Sequence, residues 1–82
     1  MENIFMSMDN GRLYKAFLEY EELRKTGFVP EGGILAPIRD NYCEHYPASG
    51  VHVMEMDLLY AIACRGYYQA DWITEQRNKN GE

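Results

Sequence analysis

The chain has 82 residues, enough for one small domain and too few for two domains or a large cofactor cradle. Hydrophobic residues make up 46% and charged residues 26%, and seven Tyr, three Phe and one Trp supply apolar area to offset chain entropy, which excludes wholesale disorder. Thirteen acids against eight bases leave a net charge of −5, which disfavours direct nucleic-acid binding through neutralised phosphates and a helix lying on an anionic membrane.

The opening residues Met1-Glu2-Asn3-Ile4-Phe5 lack the basic-then-apolar pattern of a leader, and no run approaches the roughly 18 apolar residues of a membrane span. The expectation is one domain over 1–82 in the cytoplasm, with Cys43 and Cys64 as free thiols. The polar stretch 77–82 reads as a frayed tail.

A first helix is predicted over 12–26. Leu13, Ala16, Phe17, Tyr20 and Leu23 recur at three- and four-residue spacing, while Lys15, Glu19 and Glu22 fall on the solvent side. Asp9 or Asn10 suits the cap. Gly27 suits a left-handed stop, with Phe28 folding back on Leu23 and Pro30 blocking continuation.

A second helix is predicted over 36–46. Pro37 lies in its first turn, and Ile38, Tyr42 and His45 or Tyr46 form its stripe. Pro47 disfavours helix at the residue before it. Gly32-Gly33 lacks the Lys and hydroxyl of a phosphate loop and reads as a turn.

A third helix is predicted over 54–76. Met56, Leu59, Ile62, Ala63, Tyr67, Ala70 and Ile73 trace its buried face, Leu58 and Tyr60 flank it, and Gly66 bends or interrupts it. The fold class is therefore mainly α, a compact three-helix domain. The alternative is α+β, with Ile4 to Met8 pairing against Val51-His52-Val53 as two short strands.

The chemistry-bearing residues do not assemble into a known motif. Cys43, His45, His52 and Cys64 lack the close-spaced pairs of a zinc site. A Cys43–His45 dyad puts two side chains on different helix faces, and a Cys43–His52 pair depends on the turn at Pro47 to Gly50. Glu55 and Asp57, two apart, diverge on a helix. The expectation is a non-enzyme with no cofactor and no metal.

Binding remains. Three helices of this size also suit a helix-turn-helix, but from Asp40 to Cys64 there are four acids and no Lys or Arg, which would repel a DNA backbone. Tyr68 and Trp72, four apart and flanked by Arg65, form an aromatic ridge of the residue types enriched at hot spots. The ridge reads either as core or as a contact surface. The sequence is thus read as an interaction module that binds a protein partner or itself stoichiometrically. Its candidate partner-binding residues are Arg65, Tyr68 and Trp72 together with the acidic Glu44, Glu55 and Asp57. The alternative is an acidic inhibitor that covers the nucleic-acid-binding surface of another protein, as a phage or mobile-element accessory protein would.

Overall fold

The computed structural model describes residues 2–66 and 69–79, and no strand occurs among them. A single 3-10 turn, Ile4–Ser7, precedes four α-helices: α1 (Asn10–Thr26), α2 (Leu35–His45), α3 (Gly50–Ala63) and α4 (Gln69–Lys79). The architecture is mainly α as expected, with four helices rather than three. The two segments proposed as strands are helical: Ile4–Ser7 forms the 3-10 turn, and Val51-His52-Val53 lies in the first turn of α3.

α1 follows its local signals. The Asp9 carboxylate accepts from the Arg12 N–H at 2.8 Å, satisfying one of the first-turn donors that lack a helical partner. At the other end Gly27 has φ 82°, and its N–H donates to Leu23 O. This left-handed conformation costs glycine nothing. Phe28 does not fold back on Leu23; it is 76% exposed, and Val29 is buried instead. The stop is therefore the simple left-handed cap without the apolar clasp.

α1 is buried on a wider arc than one stripe, because it touches α2, α3 and α4. Leu13, Ala16, Phe17 and Tyr20 face the core as expected, and Tyr14 joins them. Glu19, placed by the sequence on the solvent side, is only 8% exposed. Its carboxylate accepts from the Ile34 N–H at 3.0 Å and the Leu35 N–H at 2.9 Å, capping the start of α2 from another helix. Ile34 offers α2 no side-chain cap of its own. A negative group at that end also complements the helix dipole. A Cβ on Gly33 would lie 2.6 Å from Glu19 Cδ, so the glycine leaves room for the carboxylate.

α2 and α3 cross closely. A Cβ on Gly50 would lie 2.5 Å from Cys43 Cα, so a side chain there would drive the two backbones apart. Ile38 and Tyr42 are buried as the stripe requires, Tyr46 is half-buried and His45 is exposed.

The predicted third helix is two. Cys64 ends α3, and the Arg65 N–H then donates to Ile62 O at 3.0 Å in a tightened last turn. The Arg65 guanidinium draws this corner onto the N-terminal turn: it donates to Met8 O at 2.5 Å, to Phe5 O and Met6 O at 3.3 Å each, and to Asn10 Oδ1 at 2.8 Å. A straight helix over 54–76 would run about 35 Å at about 1.5 Å per residue and carry Trp72 away from α1. The corner brings it back. Trp72 is 3% exposed and meets Tyr14 edge to face at 6.4 Å. α4 continues through Lys79, so Arg77, Asn78 and Lys79 of the polar stretch belong to this helix, and residues 80–82 lie outside the described residues.

The buried face of α3 also differs from expectation. Gly50, Met54, Leu58, Ala61 and Ile62 point inward, while Met56 and Ala63 point outward, Tyr60 is exposed and Leu59 is half-buried. From Met54 to Ala63 only Glu55 and Asp57 are polar by charge, so the pattern alone did not select a side. Of the rest of that predicted face, Ile73 is half-buried on α4, Tyr67 lies outside the described residues, and Ala70 falls within α4.

Candidate functional site

One feature that the fold leaves unused is the outer side of α3, besides the exposed Phe28 after α1 and Ile4 and Met6 in the first turn. His52, Met56 and Tyr60 follow one another at four-residue spacing, with Leu59 and Ala63 beside them. Met56 is 54% and Tyr60 62% exposed. None of these five side chains is a carboxylate, Lys or Arg. Met56 and Tyr60 are thus large side chains held outward on a helix whose inner side is packed, whereas the half-buried Leu59 also packs against the core.

Carboxylates edge this stripe on both sides. Glu55 turns one way and accepts a short hydrogen bond from the Tyr20 hydroxyl of α1. Asp57 turns the other way and accepts from the Tyr42 hydroxyl of α2 at 2.7 Å. Both phenols ionise above the ordinary tyrosine value, first because burial penalises the phenolate and then because the acceptor carboxylate opposes a second negative charge. They therefore stay neutral donors. Arg24 approaches the Tyr20 hydroxyl at 3.4 Å on the Glu55 side, and Asn3 Nδ2 donates to Asp57 O at 2.9 Å on the other. At the far end of the stripe the neighbouring Cys64 side chain pushes the ionisation of the Tyr60 hydroxyl above the usual range.

The six residues singled out from the sequence separate into different roles. Glu55 and Asp57 come together as the two edges of the α3 stripe. Glu44 is exposed on α2. Arg65 is occupied by three backbone carbonyls and Asn10, so it holds the α3–α4 corner. Trp72 is core, so it is not presented to a partner by the folded chain. Tyr68 lies outside the described residues. Trp72 is thus replaced as a contact candidate by Met56 and Tyr60.

A groove of about 450 Å³ at the turn between α2 and α3 is lined by Cys43, His52 and Glu55 with Pro47 to Val51. His52 Nδ1 lies 3.8 Å from Glu55 Oε1, while no hydrogen bond joins His52 to Cys43 among the described residues. The nearby His45 Nδ1 is engaged with Asn41 O at 3.1 Å. Cys43 and Cys64 are both free thiols. Cys43, His52 and Glu55 thus line one groove, with His52 turned to Glu55. No group of three or more His, Cys, Asp or Glu side chains placed to hold a metal ion occurs among the described residues.

The chain matches no family model, no curated protein and no solved structure. The surface itself therefore carries the functional reading. Among the described residues no helix is long and apolar enough to cross a membrane.

The sequence pattern misplaces three residues of consequence: Tyr60, expected to widen the buried stripe and found exposed, Met56 and Glu19. Met56 was placed inward because α3 is apolar on nearly every side. Glu19 was placed outward although it sits at the margin of the α1 stripe, three residues after Ala16 and four before Leu23. That marginal position was the available signal.

Proposed function

We propose that this chain is a small, non-enzymatic protein-interaction module that acts by stoichiometric binding, with the outer side of α3 as its contact surface. The observation that carries the reading is the exposure of Met56 and Tyr60, one turn apart, on the side of α3 opposite Met54, Leu58, Ala61 and Ile62. Flexible Met and amphipathic Tyr are favoured at contact surfaces, since they bury large area at modest ordering cost. Such binding needs complementary shape and charge and no reacting group.

The test pairs wild-type chain with Met56→Glu/Tyr60→Ala, each tagged and used for capture from the source cell after nuclease treatment. Neither side chain belongs to the core, so circular dichroism should be unchanged. A partner captured in stoichiometric amount by wild type and lost with the double variant supports the reading. Equal capture by both chains removes α3 as the surface. If the captured partner is a nucleic-acid-binding protein and the complex weakens with salt, the acidic-inhibitor form of the reading is favoured, supported by the stretch without Lys or Arg from Asp40 to Cys64.

A further inference from the structure

We infer that the occupant of the α3 face is a cationic amphipathic helix of another protein, with an apolar stripe over Met56 and Tyr60 and Lys or Arg flanks toward Glu55 and Asp57. This rests on the interaction reading above and names the partner's chemistry.

The geometry of α3 points to a helix. Its fourteen residues span about 20 Å at about 1.5 Å per residue, so the outward stripe is long, narrow and straight. Apolar residues recurring at four-residue spacing match the anchors of a second helix laid alongside. The charges decide its character. Glu55 and Asp57 leave α3 in opposite directions, and each is tied by a tyrosine hydroxyl that stays neutral. The carboxylates are therefore held at the two margins with their charge intact and with side-chain freedom already restricted, which lowers the ordering cost of a bound cation.

The one Lys or Arg on the α2–α3 pair is Arg39. From Asp40 to Cys64 the chain has no Lys or Arg, and Arg39, just before it, is engaged with Asp40 at 3.1 Å. Arg24 reaches the Tyr20 hydroxyl, so the Asp57 margin is the more anionic of the two.

A second copy of the chain fits this surface worse. Pairing two such stripes about a two-fold axis sets carboxylate margins against carboxylate margins, with no Lys or Arg between 40 and 64 to answer them. Like charges flanking a helical seam select against self-pairing, as at the edges of coiled coils. Flanking Lys or Arg on a different helix turns the same margins into attraction, which sets orientation and hastens encounter more than it adds raw affinity.

The experiment uses two synthetic helical peptides of about 18 residues with the same Leu stripe, one flanked by Lys and the other by Glu, titrated into the full chain and followed by amide chemical shifts. The Lys-flanked peptide should bind at least about tenfold more tightly, with shifts centred on residues 52–63, and Met56→Glu should abolish binding. Glu55→Gln/Asp57→Asn keeps an acceptor for each tyrosine while removing both charges. It should erase the preference between peptides and retain apolar docking. Equal binding of the two peptides to wild type overturns the cationic partner and leaves the contact surface standing. If neither peptide binds and sedimentation shows a dimer that Met56→Glu dissociates, the occupant is a second copy, and the cationic helix is wrong while the interaction reading survives. If neither binds and the chain is monomeric, the inference is overturned outright.

Discussion

α2 and α4 are each eleven residues long and each packs on α1, yet different contacts stand out in each. α2 is positioned by directed polar contacts. Glu19 caps its start, Tyr42 near its end reaches Asp57 on α3, and the bare Cα of Gly50 lets α3 cross at backbone contact. α4 is anchored by the ring of Trp72 against Tyr14, with Ile73 half-buried beside it and the Lys79–Glu75 pair out in solvent. Hydrogen bonds to a charged acceptor constrain angle as well as distance, whereas apolar burial rewards area with little regard to direction. The pair α2–α3 is thus a defined platform for the stripe on α3, and α4 packs against both α1 and α3.

That contrast is sharpened most by Trp72→Ala. Truncating a buried Trp costs about 3–5 kcal/mol, and here the loss falls on the docking of one helix. The amides of 69–79 should exchange rapidly with solvent while those of Ile34 and Leu35 stay protected. Uniform loss of protection along the chain would show that α4 is inseparable from the rest.

Glu19→Ala should cost less, about 2–4 kcal/mol, by leaving two buried N–H donors without an acceptor and a void beside Gly33. Glu19→Gln retains one acceptor and should recover roughly half of that in urea denaturation. Equal midpoints for Glu19→Ala and wild type would show that water replaces the carboxylate at no cost.

The smallest effect concerns alkaline pH. Tyr20 and Tyr42 ionise in the folded chain above their unfolded value of about 10. A raised folded value means that the stabilisation is complete below about pH 10 and declines as pH rises further, because the unfolded chain releases those protons first. The denaturation midpoint should be flat through neutral pH and fall above about pH 10, and Tyr42→Phe should flatten that fall. A midpoint unchanged at pH 11 would show that the phenol–carboxylate bonds contribute nothing.

The parts of the molecule that were legible in the sequence are those whose causes are local. Asp9 before α1, Gly27 after it, Pro37 in the first turn of α2 and the break near Gly66 each act within a few residues, through dihedral preference or a missing N–H. They sufficed for a mainly helical chain with nearly the right boundaries. The divergence of Glu55 and Asp57 was equally legible, since two residues apart on a helix is about 200° of rotation. What only the tertiary structure decided was the direction each helix faces. Met56 and Tyr60 are apolar in a segment apolar nearly all round, so local pattern offered no reason to expose them. Glu19 is buried because the N-terminus of a helix fifteen residues away needs an acceptor there. Trp72 is inside because Arg65 finds the carbonyls of the first turn, which bends α4 onto α1. Each of these outcomes depends on a partner distant in sequence, and long-range pairing is the term that a local pattern does not contain.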